Sequence, residues 1–522
     1  MSAWTDYWSN CTSRLSAICR CCFLSREGWR QRYQTVSASL DKERAASKQL
    51  QGLVANLEQA NQQLRARIAE LEDGRELSQA GSSSLKLLLG RPAPGQTYPV
   101  GLVTLSVNLA EAIGLRPTVR VLQVVFDWLH VSCPIPRYQT IRTWMQRIGL
   151  DRMQQAKKVD DGIWLVDHTN QIGAERALTI LRVRASSLPP AGTPLRHQDV
   201  EVLLCQPGVA WKRDNVEQAY RQVAAQKGHP IAIVSDGAVE LREPVEKLEK
   251  QGRSPLVIGD LKHLLSNQLE ALLVNDPQFQ DFTRQASQTR SAVQQTELAH
   301  FTAPSLKQKS RFMNLKPMLE WASMVLWHLR HPNSKAREGI TPARMNDKLG
   351  WLRGFTKPMR KWRECQYVVS EMLKFFNKNG VYRGSATKFR RKIACKLRHT
   401  CSKKLLDATL KYVRKTEREL KPKQRLPIST EILESSFALY KQLERQHSKG
   451  GFTSLLPVFG TLLSPTASDE VQESFARVKV DDVRKWIATN LPNTLASRRQ
   501  TAYCEARPKK KKKGATRKAL AA

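Results

Sequence analysis

The sequence predicts an α/β catalytic core interrupted by an all-α insertion, preceded by an N-terminal coiled coil and a helix-turn-helix domain. Three observations predict it. Two short apolar runs, residues 162–166 and 231–234, each lead into a carboxylate, Asp167 and Asp236, and apolar runs of that length read as buried strands. Between about 262 and 425 the chain reads as helix throughout, starting with Leu264, Leu265, Leu269, Leu272 and Leu273. Leucine recurs at Leu50, Leu57, Leu64 and Leu71, the heptad spacing of a coiled coil.

The chain has 522 residues, enough for several domains and a sizeable core. Lys and Arg number 85 against 47 Asp and Glu, a formal net charge of +38. Such an excess speaks to partners rather than fold, and its usual partner is nucleic acid. A basic, merely soluble protein is the alternative, and the clustering of the basic residues argues against it. No run of about 18 apolar residues occurs, so no membrane span is expected. Residues 1–20 lack a charged start followed by an apolar core, so no secretory signal is read there. Ten cysteines in so long a chain do not suggest a disulfide scaffold, and a reducing compartment is expected. Cys11, Cys19, Cys21 and Cys22 form one loose group, and Cys395, His399 and Cys401 another. Both are read as ordinary thiols before zinc sites.

Residues 1–40 carry Trp4, Tyr7, Trp8 and Trp29 and receive no role. In 41–75 the leucines fill one core position, while Ser47, Val54, Asn61 and Ile68 fill the other. Leucine at every d position with one asparagine in the a series is the pattern of a parallel two-stranded coiled coil. The alternative is a single amphipathic helix packed on its own chain, and the narrow apolar seam favours dimerisation. Residues 76–99, rich in Gly, Ser and Pro, read as a linker. In 100–150, Val119, Leu122, Val125 and Phe126 follow helical spacing, residues 132–136 break the helix, and a second helix runs from Arg137 until Gly149. A helix, a short break and a second helix suit a helix-turn-helix. Arg137, Gln139, Arg142, Thr143 and Gln146 would then meet DNA while Ile141, Trp144 and Met145 pack. An ordinary helical hairpin is the alternative.

The α/β core is expected over 155–270 and again over 426–500. Strands are read at 162–166, 177–184, 200–205, 231–234 and 255–258, with helices at 215–227 and 241–251. The second strand alternates, Thr179, Leu181 and Val183 opposite Ile180 and Arg182. Three strands, then helix, strand, helix, strand is the order of a ribonuclease-H-like fold, in which the first and fourth strands are neighbours. Asp167 and Asp236 would meet at one end of that sheet. Residues 431–441 read as a helix carrying Glu434, with Lys441 and Arg445 seven and eleven positions on. Those offsets lie on one helix stripe. Glu431, one turn earlier, is the rival, and the alignment with the two cations favours Glu434. Three convergent carboxylates can hold two divalent metal ions, a site that cuts and joins phosphodiesters.

The insertion, 271–425, ends in a dense basic run that includes Lys388, Arg390, Arg391, Lys392, Lys403, Lys404, Lys411 and Lys415, with Asp407 nearly alone among them. It is read as a surface for DNA backbone, against a merely solvated face. Residues 501–522 read as a disordered basic tail. His168 and His263 are read as structural or DNA-facing rather than as bases, and Asp160 and Asp161 as loop residues. The stretch Gln294-Gln295-Thr296-Glu297 stands out and has no mechanism.

Taken in order, Asp167, Ser235-Asp236-Gly237, the Asp260/His263 pair, Glu434 with Lys441 and Arg445, and then Gly450, Gly451 and Phe452 resemble the DD-E transposases of bacterial insertion sequences. The resemblance covers about 160–270 and 425–460, and a helical insertion before the glutamate fits subgroups of that class. It implies a transposase that binds transposon ends, cleaves DNA and joins 3′-hydroxyl ends to target DNA. It implies two Mg2+ ions, with Mn2+ able to substitute, held by Asp167, Asp236 and Glu434. Asp260 and His263 would stand behind those ligands, with a strand cap the other reading for Asp260. Double-stranded DNA is the expected partner, with a homodimer or higher oligomer built by the coiled coil, in the cytoplasm beside the nucleoid. A metal-dependent nuclease or resolvase on the same fold, and a non-catalytic DNA-binding descendant, are the alternative readings.

Overall fold

The computed structural model describes residues 90–128, 133–170, 175–208, 211–249, 254–305, 315–445 and 452–506. The expected coiled coil at 41–75, the N-terminal segment, most of the linker and the basic tail lie outside them. The chain forms two compact units.

The first unit is built on a five-stranded sheet, taking, among the described residues, those within 90–260, 376–380 and 425–506. Its strands are β1 (Gly162–Asn170), β2 (Arg176–Arg184), β3 (Glu201–Gly208), β4 (Pro230–Ser235) and β5 (Leu256–Gly259), in the order β3-β2-β1-β4-β5. β1 is antiparallel to β2 and β2 to β3, whereas β4 is parallel to β1 and β5 to β4. That mixed α/β sheet has the expected order, with first and fourth strands adjacent.

Helices cover both faces. On one face α4 (Arg213–Lys227) and α5 (Val239–Glu246) pack Val216, Tyr220, Val223, Leu241 and Val245 onto Trp164, Val166, Leu178, Ile180 and Ile233. On the other side α3 (Tyr138–Gln155) and a 3-10 segment, Leu456–Leu463, pack on β3, and α13 (Glu431–Arg445) packs on β1. The double cover buries both sides of the second strand, Thr179, Leu181 and Val183 on one and Ile180 and Arg182 on the other. Residues 177–183 of β2 are all buried, because a strand between two helical layers has no solvent face. Even Arg182 is buried, donating to Glu201, to the Lys157 carbonyl at 2.8 Å and to the Lys227 carbonyl at 2.9 Å.

The helices α1 (Val100–Ile113), α2 (Leu115–Trp128) and α3 cluster with this sheet rather than as a separate helix-turn-helix domain. Ile141, Trp144, Met145 and Ile148 are buried, as expected. The expected stop at Gly149 does not occur, and α3 continues to Gln155. Gly149 is where the helix touches the 3-10 segment. A Cβ there would lie 2.1 Å from the Pro457 carbonyl oxygen, and one at Gly460 would lie 2.4 Å from the Gly149 carbonyl oxygen. Further along α3, the Arg147 guanidinium donates to the carbonyls of Val478 and Phe475 at 2.7 and 2.8 Å. Arg152 reaches Glu470 at 2.6 Å and the carbonyls of Thr461 and Ser464, each at 2.9 Å.

Beside Arg152 stands Glu111 of α1, one of whose oxygens is buried with no hydrogen-bond partner. Burial first, then the Glu470 charge, raises its pKa from the ordinary 4.5 to about 8, against the pull of Arg152. Between those values the folded chain keeps a proton that the unfolded chain has lost, so this group lowers stability as pH rises through that window. Glu111→Gln is therefore expected to add about 1–3 kcal/mol at pH 8 and nothing at pH 4. Urea unfolding at both pH values checks it, and an equal effect at the two would remove the titration from the account.

The second unit is helical, taking residues 261–375 and 381–424 among those described, so it begins ten residues before the expected 271. It contains α6 (Leu261–Leu273), α7 (Pro277–Val293), α8 (Leu315–Arg330), α9 (Pro342–Leu349), most of α10 (Thr356–Asn379), α11 (Ser385–Ile393) and α12 (Thr400–Glu419). Its core is aromatic. Trp362 meets Phe282 and Phe279 at 5.1 and 5.3 Å between ring centroids. The indole N–H groups of Trp321 and Trp351 donate to the Phe301 carbonyl and the Thr289 hydroxyl, as buried indoles require. The stretch 294–297 now has a structural account. The Thr296 hydroxyl donates to the Val293 carbonyl at the end of α7, and Glu297 accepts from Arg344 of α9 at 2.8 Å.

Candidate active site

The parallel pairing of β1 with β4 ends at Leu165 and Val234. Asp167 and Asp236 each lie two residues beyond that pair, so the register carries them side by side. Asp167 is not at the end of its strand, as expected from sequence. β1 runs on to Asn170, and Asp167 pairs with Thr179 of β2. What ends beside it is β4. Side chains alternate along a strand. Trp164 and Val166 point into the α4/α5 layer, which leaves Asp167 on the opposite face. α13 adds nothing to that layer and packs on β1, so the glutamate helix shares the face of Asp167. Backbone amides fix both aspartates. Asp167 accepts from the His168 N–H at 2.7 Å, and Asp236 from the Ala238 N–H at 2.9 Å across the turn at Gly237, whose φ is 86°.

Asp260 fastens the glutamate helix to the sheet. It is 1 % exposed, its N–H donates to the Ser235 carbonyl at 2.6 Å, and its carboxylate accepts from the Thr430 N–H at 2.9 Å. The Thr430 carbonyl in turn accepts from the N–H groups of Leu433 and Glu434. One buried acid therefore joins the end of β4, which carries Asp236, to the first turn of α13, which carries Glu434. His263 lies half-buried in the first turn of α6, in the helical unit.

The rival glutamates have different surroundings. Glu431 accepts from the Asn377 amide, and with Ile432 and Ser435 it lines a cavity of about 360 Å3 that also holds Leu188, Pro194 and Phe376. Glu434 is half-buried and does not line that cavity. The Ser435 hydroxyl meets His197 Nε2 at 2.9 Å. His197 and Asn377 were invisible in the sequence, since neither sits in a motif and each meets α13 only through the fold. Lys441 is half-buried and Arg445 exposed along the same helix.

His168 points into the opposite layer, 6.2 Å between centroids from Trp211, with its Nε2 buried and unpartnered. Burial lowers its pKa, with the charges of Glu240 and Asp236 pulling the other way. A lowered pKa disfavours the charged ring, which suits a structural residue.

Carboxylate oxygens are the hard donors that Mg2+ prefers, so the donor chemistry fits. Asp167 and Asp236 each follow the last β1–β4 pair by two residues, and the helix of Glu434 packs on β1. Among the described residues, no three His, Cys, Asp or Glu side chains gather closely enough to hold a metal ion. That also removes the loose Cys395, His399 and Cys401 group as a ready metal site.

The expected DNA-facing residues divide. Arg137 and Gln139 are exposed at the start of α3, and Arg142 and Thr143 are half-buried. Gln146 is 4 % exposed, and its amide donates to the Ser454 carbonyl. It cannot read a groove from there, which corrects that expectation. Arg390, Arg391 and Lys392 are exposed on α11, as are Lys403, Lys404, Lys411 and Lys415 on α12. Two of them are engaged within the chain: Arg390 meets Asp407 at 2.6 Å and Lys392 meets Glu371 at 2.9 Å. Among the described residues, no helix is long and apolar enough to cross a membrane.

No family model and no curated protein matches this chain. Among solved structures it is similar to the Drosophila P element transposase strand transfer complex, with 11 % sequence identity and a TM-score of 0.38 over 79 % of this chain and 100 % of that chain.

Proposed function

We propose that this chain is a DNA transposase that binds element ends, cleaves them and joins the freed 3′-hydroxyl to target DNA. The observation that supports the reading is the strand register, which ends at Leu165 and Val234 two residues short of Asp167 and Asp236, with the helix that carries Glu434 packed on β1. Asp167, Asp236 and Glu434 would hold Mg2+, which when bound activates an attacking oxygen and stabilises the leaving one. Asp260 keeps the glutamate helix seated against the end of β4. Lys441 and Arg445, further along that helix, would neutralise phosphates of the bound strand. The heptad at 41–75 would pair two such chains on two element ends. Incubating the full chain with DNA carrying an element end, target DNA and Mg2+ tests the reading. Joined product is the expected result, and a chain lacking residues 1–80 should lose paired-end complexes before single-end binding. Cutting without joining would replace the transposase with a nuclease on the same fold.

The basic faces of α11 and α12 would hold DNA backbone. Each phosphate contact contributes about one unit to the log–log slope of affinity against salt. Arg390 and Lys392 already have acidic partners, so replacing Arg390, Arg391 and Lys392 with alanine should flatten that slope by about one to two units rather than three. Unrelated DNA and element ends should weaken alike, because phosphates carry little sequence information. Binding of both DNAs across a salt series measures it, and an unchanged slope would make this a solvated face.

A further inference from the structure

Helix α2 carries two stripes of apolar side chains, and only one of them is buried. Leu115, Leu122 and Phe126 lie on the buried side, where Leu122 and Phe126 form a small core with Leu102 of α1. The other stripe is Val121, Val124, Val125 and Trp128, at offsets of three, four and seven. Those offsets trace one face of a helix. Val124 and Trp128 are each 67 % exposed, and Val121 and Val125 each 36 %. A single exposed apolar side chain needs no explanation, whereas a contiguous patch marks a contact surface.

Charge decides which partner fits. Arg120 and Asp127 are both exposed on one edge of the stripe, four positions before Val124 and three after it. The Gln123 amide donates to both oxygens of Asp127, at 2.9 and 3.0 Å, and among the described residues no acid pairs with Arg120. One end of the edge is therefore positive and the other negative. A two-fold contact joins the same patch on both copies. A second α2 laid antiparallel on the first, about an axis near Val124 and Val125, covers one stripe with the other and sets Arg120 against the partner's Asp127. A parallel pair would set like charges together, which disfavours it. Nucleic acid is held by cations and phosphates, and an apolar stripe edged by a carboxylate offers it little.

We propose that the exposed face of α2 is a self-association surface, covered by the same face of a second copy of this chain in antiparallel orientation. A stable interface buries about 800 Å2 on each partner, which three valines and one tryptophan do not reach. The contact therefore works between chains that are already tethered, and in this it rests on the proposed pairing through the heptad at 41–75. A tether raises the local concentration at which the second contact forms. The heptad would bring two chains together, and the α2 contact would fix how their sheets face each other.

The dimer dissociation constant of the full chain, measured by sedimentation equilibrium, tests it. Val124→Lys with Trp128→Lys leaves the buried side of α2 untouched and should weaken dimerisation by at least about tenfold. Arg120→Asp and Asp127→Arg should each weaken it by about threefold or more, and the two reversals together should restore most of the loss. That restoration is specific to an antiparallel contact between copies. Leu57→Pro, which breaks the heptad helix, should weaken dimerisation separately and leave the charge-reversal pattern in place at higher protein concentration. An unchanged constant in the Val124 and Trp128 variant would overturn the α2 contact, even where Leu57→Pro abolishes dimerisation. A loss in that variant with no restoration by the double reversal would also overturn it, and would mean that another segment, such as the heptad of the same chain, covers the face. Full dimerisation in Leu57→Pro with the reversal pattern intact would overturn the heptad and leave the α2 contact standing.

Discussion

Asp167→Ala, Asp236→Ala and Glu434→Ala should each lower Mg2+-dependent DNA cleavage by at least about 10^3-fold, a loss of roughly 4 kcal/mol of transition-state stabilisation. Affinity for DNA should change by no more than about threefold, because it comes mainly from basic surfaces elsewhere. The two aspartates each stand two residues past the last β1–β4 pair. Removing either carboxylate would leave its neighbour unable to hold a divalent ion in the same place. Glu434 reaches the same face on a helix anchored by Asp260 through Thr430. Glu431→Ala serves as the control, since that side chain is turned toward Asn377 and the cavity, and it should cleave within about threefold of the unaltered chain. Cleavage and equilibrium binding measured on one DNA in Mg2+ decide the matter. Full activity in any of the three variants removes that residue from the site, and loss in Glu431→Ala with activity in Glu434→Ala reverses the choice of glutamate.

Gly149→Ala should destabilise the sheet unit by about 2–4 kcal/mol. On an exposed helix the same change would stabilise by up to about 1 kcal/mol, because glycine is a poor helix former. The sign is therefore set by packing. An alanine Cβ would lie 2.1 Å from the Pro457 carbonyl oxygen and 2.8 Å from Thr461 Oγ1, and that hydroxyl already donates to the Met145 carbonyl at 2.7 Å. Neither the backbone carbonyl nor the engaged hydroxyl can yield easily, so α3 must move off the 3-10 segment. Chemical denaturation of the full chain, followed by tryptophan fluorescence with Trp144 on the affected helix, reads the loss. An unchanged or raised midpoint would mean that α3 and the segment at 456–463 are not in contact.

Strand order was legible in the sequence for a simple reason. Strands buried on both faces are short apolar runs, and the runs before Asp167 and Asp236 are apolar, so their number and order are written locally. The helical character of 262–424 was legible for the same reason, since apolar spacing at a helical period is a local signal. The fate of 138–155 was not. Arg142 and Gln146 look like residues of a DNA-reading helix, yet Gln146 is buried against the Ser454 carbonyl, and Arg147 beside it against those of Phe475 and Val478, more than 300 positions away. Gly149 looks like a helix end and is a close contact between helix and loop.

The sequence by itself determined the chain's basic character and the strand order. Tertiary structure alone decided that Asp260 seats the glutamate helix, that Glu431 turns to Asn377 and a cavity, and that α3 belongs with the sheet. The physical reason is range. Apolar periodicity and strand-end polarity act between neighbours in sequence. A buried hydrogen bond or a missing Cβ draws its partner from residues that only folding brings near, and no local pattern announces which of them it will be.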